Sequence, residues 1–465
     1  MLNTLNSFLW DQLLIVLLVG VGLLLTISSR FVQIRYFGKM FAVLRGGMHH
    51  EAGRVSSFQA LVVSVAGRVG SGNIAGVAVA ITLGGPGAIF WMWLIGLMGM
   101  ATSFFECSLA QLFKRKQSDG SYRGGPAYYL KYGVNQKVLA VIYSVLLLVT
   151  FGLCFNALQS YLVATSIQDS FDVQPIVTGS IMAVLLGFTI FGGITRIAVV
   201  AEVLVPIMAV GYFLCALLVI GMNIAEVPGV IMLIVKSALG LDSAIGGGIG
   251  IAVIQGVKRG LFSNEAGLGS APNVAAVAYV PHPANQGIVQ AFSVFIDTIV
   301  MCTCTATIIL LSGIYEPGAA GVDGVVLTQN ALASHVGPWG GRFVSVALVL
   351  FAFSSMMYNY YLGENSLSYL SDSNTLLTSS FRVLVLALVL WGSVQNLGTV
   401  FSFADLTMGL LALVNLIGLI WMFKIGLRVL QDYDQQLAAG LTPRLRTEDY
   451  SDLEIDPLAW LDNQS

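Results

Sequence analysis

GRVGSGNIAG, Gly67 to Gly76, sits in the middle of an apolar run from about Ser57 to Leu83. The run is long enough to cross a bilayer, which takes ~20 apolar residues as a helix. Its centre nevertheless holds an arginine and three glycines within six positions. Glycine costs about 1 kcal/mol against alanine inside a helix, and unwound backbone at membrane depth survives only where protein or a watery cavity covers it. The stretch therefore predicts a broken transmembrane helix whose freed amides and carbonyls face a ligand. A glycine packing face of the small-xxx-small kind accounts for Gly72 to Gly76 but leaves Arg68 and Asn73 without a reason.

The surrounding chain has 465 residues, 56% hydrophobic and only 10% charged, with a mean hydropathy of +0.83. A soluble domain carries about 25% charged residues, so this is a polytopic membrane protein. Its 22 basic and 24 acidic side chains nearly cancel, which gives nucleic acid no electrostatic footing. Cys107, Cys154, Cys215, Cys302 and Cys304 all fall in apolar runs without a CxxC spacing and read as buried free thiols. The first run, Trp10 to Ile27, lacks a preceding basic residue and a following cleavage site, and reads as a retained helix.

Hydropathy gives eleven spans, near 10 to 28, 57 to 83, 88 to 112, 138 to 164, 176 to 192, 197 to 221, 244 to 276, 287 to 313, 343 to 362, 382 to 397 and 404 to 427. Arg30, Arg35, Lys39, Arg45 and Arg54 follow the first span, Lys114, Arg115, Lys116, Arg123, Lys131 and Lys137 the third, and Arg196 the fifth. Lys424, Arg428, Arg444 and Arg446 close the chain, while the opposite connections hold Lys236 and Arg342. The positive-inside rule then puts the amino terminus outside and the carboxyl terminus in the cytoplasm.

A second interruption lies in the seventh span, where KRGLFSNEAGLGSAPN places two cations, a carboxylate, two asparagines, three glycines and a proline in an apolar run. Five spans counted from each break give 57–221 and 244–427, joined by an extracellular connection at 222–243. Because five is odd, the second set enters the membrane from the opposite side, which makes an inverted repeat with substrate and ion expected at the midplane. Residues 1–56 form an additional amino-terminal helix with an amphipathic cytoplasmic connection, and 428–465 a cytoplasmic tail that reads either as a loose segment or as a small gate.

Within the first break, the helix resuming at Gly72 and Asn73 presents amides and a positive dipole end to a carboxylate, while carbonyls near Ala66 and Val69 suit a cation or an ammonium group. An amino acid zwitterion needs both. Arg68, costly at mid-membrane, calls for a buried partner, and Glu265 or Asp297 supplies a carboxylate, as a latch between the halves or as a static packing pair. Adjacent Ser354 and Ser355 in the ninth span offer hydroxyl oxygens for sodium, or bond back to their own helix. Gln159 is placed to reach the central cavity from the fourth span, near Asn156, whereas Phe151 and Phe155 read as packing. Asn359, Glu364 and Asn365 follow the serines toward the cytoplasmic end. Glu106, Glu202 and Asp405 are further intramembrane acids, each a structural partner for a nearby cation or amide or a member of a proton relay. GGPAYYL, Gly124 to Leu130, reads as a cytoplasmic re-entry or interfacial turn. His49, His50, His282 and His335 are expected in loops, with no metal-ligand spacing. No Walker loop, nucleophile elbow or HExxH is present, so neither ATP drive nor hydrolysis has a sequence basis.

GRVGSGNIAGVAVAI with GGPGAIFWMW, then GGPAYYL, then KRGLFSNEAGLGSAPN, together resemble the alanine or glycine:cation symporter family, over about residues 57 to 430. The resemblance implies an all-α LeuT-type fold with one extra amino-terminal helix, and sodium-coupled uptake of alanine or glycine across the bacterial plasma membrane. It implies that Gly70, Ser71, Gly72 and Asn73 meet the substrate carboxylate, and that Phe262, Ser263 and Asn264 line the amine and side-chain end. Gln159 then supplies a polar contact, and the Ala66 and Val69 carbonyls with Ser354 and Ser355 hold sodium. Ser71 stands where many relatives have threonine, and Asn359 where some have tryptophan, which leaves pocket size open. Sodium is the only cofactor implied, as the coupling ion; the other partners are the amino acid and the bilayer. A proton-coupled or different-substrate transporter of the same fold is the alternative. An ion channel would need a continuous pore, and a membrane-embedded transferase would need carboxylates or histidines clustered at one water interface.

Overall fold

The computed structural model describes residues 2–46, 55–117, 120–241, 248–315, 324–371 and 374–460. His49, His50 and Arg54, with residues 244–247 at the expected start of the second repeat, lie outside the described residues. Eight described helices are long and apolar enough to cross a membrane: Thr4–Ser28, Gly87–Leu112, Lys137–Phe171, Arg196–Met222, Pro283–Leu311, Trp339–Ser371, Thr375–Ser393 and Gly398–Ala438. The pair Ser57–Arg68 and Gly72–Gly84, bent by 46° at the first interruption, makes a ninth. The count differs from eleven because Pro175–Ile190 is shorter and because the second interruption splits its helix into Gly248–Asn264 and Ser270–Ala275.

Burial sorts these helices into an inside and an outside. The most apolar windows of Gly87–Leu112 and Pro283–Leu311 are 72% and 67% buried, against 33% for Arg196–Met222 and 22% for Thr375–Ser393. Gly87–Leu112 and Pro283–Leu311 pack on each other, and the two broken helices lean on this pair. The outer helices instead present Ile181, Val184, Phe188, Val203, Ile207 and Leu214 outward, as a lipid-facing surface requires.

Short helices replace several expected connections. Val227–Ala238 occupies the 222–243 connection, and Gly324–Val336 lies across the resumed part of the first broken helix, Thr328 Oγ1 donating to the Ile74 carbonyl at 3.4 Å. His335 therefore sits in a helix rather than a loop, and His282 N-caps the helix at Pro283. GGPAYYL becomes the helix Pro126–Tyr132, started by a proline at its first position after Gly125 at φ +117°. A side chain at Gly125 would overlap Asn273, so the glycine is what lets these two segments meet.

The end of the bundle bearing the carboxyl terminus is laced shut. Val55 pairs in parallel with Ala278, and the Tyr279 amide donates to the Val55 carbonyl at 3.0 Å. The tail docks here rather than hanging loose: the Leu445 amide donates to the Pro281 carbonyl at 2.9 Å, and Trp460 is fully buried with Lys114 Nζ 4.2 Å from its ring centre. A two-residue hairpin, Arg115–Lys116 with Tyr122–Arg123, receives it through Arg115 Nη2 to the Glu454 carbonyl (2.8 Å) and the Lys116 amide to Asp456 (2.9 Å). Burial lowers the His282 pKa, so the ring is neutral at pH 7: Nδ1 accepts from the Ala284 amide at 3.1 Å and Nε2 donates to Asp432 at 3.1 Å.

Candidate functional site

The first helix stops where its sequence stops favouring helix. Arg68 is its last residue, Val69 has left helical geometry at ψ +84°, and a π-helical turn, Gly72–Gly76, begins after Ser71. Two glycines here permit close approach: a Cβ at Gly67 would overlap the Tyr358 ring, and one at Gly70 would overlap Ser355 Oγ. The long helix Trp339–Ser371 therefore presses directly on the unwound stretch.

That contact gathers oxygens. Ser354 Oγ lies 3.2 Å and Ser355 Oγ 3.1 Å from the Ala66 carbonyl, and Ser355 Oγ is 3.4 Å from the Gly67 carbonyl. Both hydroxyls also donate back to the Phe351 carbonyl, at 2.8 and 3.0 Å. Two hydroxyls and two carbonyls at one point form the hard-oxygen donor set that a small monovalent cation takes. Val69, the fourth expected ligand, is not a partner of either hydroxyl among the described hydrogen bonds. Among the described residues no group of three or more His, Cys, Asp and Glu residues forms a metal site.

On the other side of the break are unspent donors. The Gly70 amide donates to Asn73 Oδ1 at 2.8 Å and the Asn73 amide to the Gly70 carbonyl at 3.3 Å. The Ser71 and Gly72 amides find no acceptor among the described hydrogen bonds, as first-turn amides do not. Ser71 Oγ is buried and also unpartnered. Asn73, expected to offer its backbone amide, instead turns its side-chain nitrogen to Asp297 Oδ1 at 2.7 Å.

Arg68 departs from expectation. Its guanidinium pairs with neither Glu265 nor Asp297; it donates to the Gln290 carbonyl at 3.0 Å, to Ser103 Oγ at 3.0 Å and to Ser293 Oγ. The expected ion pair is thus replaced by neutral acceptors, because what the buried fork of N–H groups needs is oxygen lone pairs, and a carbonyl and two hydroxyls supply them. The two carboxylates are occupied elsewhere. Glu265 Oε2 accepts from Ser270 Oγ at 2.6 Å and Tyr358 Oη at 3.0 Å, while Asp297 accepts from Asn73, Ser263 and Thr298.

The second break runs from Glu265 to Gly269, with Glu265 held at φ +55°. A non-glycine residue pays ~1–2 kcal/mol there. Its carbonyls are taken one by one: Gly267 by Asn415 Nδ2 at 2.9 Å, Gly269 by Tyr143 Oη and Asn273 Nδ2 at 2.8 Å each. Asn415 also bonds Glu106 and accepts from Tyr129 Oη at 2.5 Å. Asn264 Oδ1 caps this loop by accepting from the Ala266 amide at 2.9 Å, and its Nδ2 is buried without a partner.

Phe262 is brought to the first break, its ring 3.3 Å from where a Gly72 Cβ would stand, and meets Phe155 edge-on at 5.4 Å. Ser263 reaches the Asn73 side chain at 3.2 Å. Gln159 is buried with its Oε1 unpartnered, while Asn156 closes the π-turn Leu148–Phe155 by donating to Gly152 at 2.9 Å. Asp405 serves Lys258 at 2.7 Å and Arg259 at 3.0 Å, a structural pairing as expected of an intramembrane acid. Tyr358 and Asn415 are among the participants that the sequence reading does not single out, with Ser103, Gln290 and Ser293 around Arg68, Thr298 beside Asp297 and Tyr143 at the second break. A tyrosine three residues after the paired serines is the available signal for the first, and nothing local marks the second.

Two broken helices crossing at their interruptions within a helical bundle define a secondary transporter of the LeuT-type fold. The chain superposes on MhsT, solved in complex with L-phenylalanine, with a TM-score of 0.56 over 79% of this chain and 89% of that one, at 14% identity. Its sequence matches the description "Sodium:alanine symporter family" over residues 1–447, and the chain belongs to that family. It is 45% identical to the amino-acid carrier protein AlsT of Bacillus subtilis, over 98% of this chain and 96% of that protein. It is 46% identical to the probable sodium/glutamine symporter GlnT of the same organism, over 94% and 91%. The family is one of amino acid transporters, not enzymes.

Proposed function

We propose that this protein imports a small neutral amino acid, alanine or glycine, driven by the sodium gradient, by alternating access across a bacterial plasma membrane. The observation that carries the sodium reading is the convergence of Ser354 Oγ and Ser355 Oγ on the Ala66 carbonyl, at 3.2 and 3.1 Å. The substrate carboxylate falls to the Ser71 and Gly72 amides and the Ser71 hydroxyl, with Phe262 and Gln159 bounding the side chain. Sodium drawing Ala66 toward Ser354 and Ser355 orders the same unwound stretch that offers these amides, so each ligand raises the affinity of the other by the same factor. In this reading 57–221 and 244–427 are inverted halves, the amino terminus is outside, and the docked tail is cytoplasmic.

The test is radiolabelled alanine uptake into proteoliposomes under an inward sodium, potassium or proton gradient, with unlabelled glycine, serine, leucine and glutamine as competitors. Accumulation above equilibrium with sodium alone, competed by glycine, is the expected result. Proton-driven accumulation would transfer the coupling role away from sodium. The name carried by the 46% identical GlnT makes glutamine the second substrate to test, and competition by glutamine in place of glycine would select it.

A further inference from the structure

Asp297 is fully buried on the π-helical turn Phe295–Met301. Such turns shift a side chain out of regular helical register and recur at functional positions. Three donors converge on the carboxylate: Asn73 Nδ2 on Oδ1 at 2.7 Å, Ser263 Oγ at 3.0 Å to either oxygen, and Thr298 Oγ1 on Oδ2 at 2.7 Å. Asn73 Nδ2 also lies 3.1 Å from the Asp297 carbonyl. One donor comes from each broken helix, and none is a cation.

An ionised carboxylate only accepts hydrogen bonds, so it dictates which end of a neighbouring amide faces it. The nitrogen of Asn73 must point at Asp297, and its oxygen is thereby turned to the Gly70 amide at 2.8 Å. The opposite orientation would set oxygen against oxygen on one side and N–H against N–H on the other. With the Gly70 amide consumed, the Ser71 and Gly72 amides and the unpartnered Ser71 hydroxyl are what the break has left to offer.

We propose that Asp297 is the positioning residue of the substrate-carboxylate site. It acts through Asn73: by fixing the amide orientation it withdraws Gly70 N–H and presents Ser71 and Gly72 as a preformed pair to the carboxylate of the amino acid. Preorganisation of this kind adds affinity by removing an ordering cost from the binding step. The proposal rests on the reading of Gly70 to Asn73 as the substrate site.

The test is a double-mutant cycle on the full chain in proteoliposomes, with equilibrium alanine binding in saturating sodium, and sodium binding measured without amino acid. Asp297→Asn removes the acceptor-only carboxylate and leaves the main-chain carbonyl of residue 297 as the remaining fixed acceptor for the Asn73 nitrogen, so the amide is held less firmly; alanine affinity is expected to fall about tenfold while sodium affinity without substrate changes less than twofold. Asn73→Ala is expected to weaken alanine binding similarly, and the double variant to be no weaker than Asn73→Ala alone, because coupled residues do not add. Asp297→Ser replaces Asp297→Asn if that variant fails to fold, with the same non-additivity expected. Losses that add in the double variant, or a parallel loss of sodium affinity, overturn the positioning role. Wild-type protein that binds no alanine, glycine or glutamine in sodium overturns the underlying site reading and the proposal with it.

Discussion

The two interruptions share a position in the bundle and differ in what they leave unfinished. At the second, Glu265 to Gly269, the loop carbonyls are met by Asn415, Tyr143 and Asn273, and Glu265 is held by Ser270 and Tyr358. At the first, Ser71 Oγ and Arg68 Nε are buried without partners, and two hydroxyls from another helix crowd the last carbonyls. A buried polar group without a partner costs about 1–3 kcal/mol. Asn264 Nδ2 is likewise buried without a partner beside the second break, but the loop carbonyls there are met, so the second break is the more nearly finished joint and the first keeps more unmet valences.

That contrast breaks most visibly if first-break variants unfold the protein. Ser354→Ala with Ser355→Ala removes both hydroxyls from Ala66, and sodium-driven uptake is expected to fall more than tenfold while the thermal midpoint in detergent moves by only ~2 °C, since each serine bonds only carbonyls and a thioether here. Asn415→Leu should do the reverse. It strands Glu106, the Gly267 carbonyl and the Tyr129 hydroxyl, about 3 kcal/mol or more at ~1 kcal/mol each. Folded yield and thermal midpoint are expected to drop, with uptake per folded molecule within about threefold of wild type; selective loss of sodium affinity would erase the distinction.

Gly72→Ala sharpens the comparison at the point where the breaks touch. Its Cβ would stand 3.2 Å from Ser263 Cα and 3.3 Å from the Phe262 ring, so the helices must separate by a few tenths of an ångström. A several-fold rise in the alanine KM with sodium affinity retained is expected from competition uptake. The smallest effect belongs to His282, remote from both breaks. Its pKa is lowered by burial, so the stability it contributes is present above the unfolded value of about 6.5 and is lost as pH falls through its depressed folded value. The fall in thermal midpoint between pH 7.5 and 5.5 should be smaller in His282→Asn, whose Oδ1 caps Ala284 without titrating.

Both interruptions were legible in the chain because glycine, proline and charge at mid-depth have no other economical explanation, and Ser354 and Ser355 stood out as adjacent hydroxyls in an apolar span. What pattern does not encode is rotation. Hydropathy places a residue along a helix axis, but whether Asp297 faces Arg68 or Asn73 depends on a π-turn with no sequence signature, and the pairing with Arg68 was expected from charge alone. Asn415 looked like one polar residue in a long apolar helix, and its importance lies in three partners at least 148 positions away. Gly324–Val336 falls in the stretch between the spans at 287–313 and 343–362, and it is buried on two sides, Val325 with Leu332 and Leu327 with Ala331, so no single apolar stripe marks it as a helix.

The bridge between Val55 and Ala278 has a mechanical meaning. Val55 lies two positions before the first broken helix begins at Ser57, and Ala278 lies three after the short helix ending the second break at Ala275. The two broken helices are thus tied to each other at one rim of the bundle, so that a shift of either would pull on the other there before it reached the interruptions.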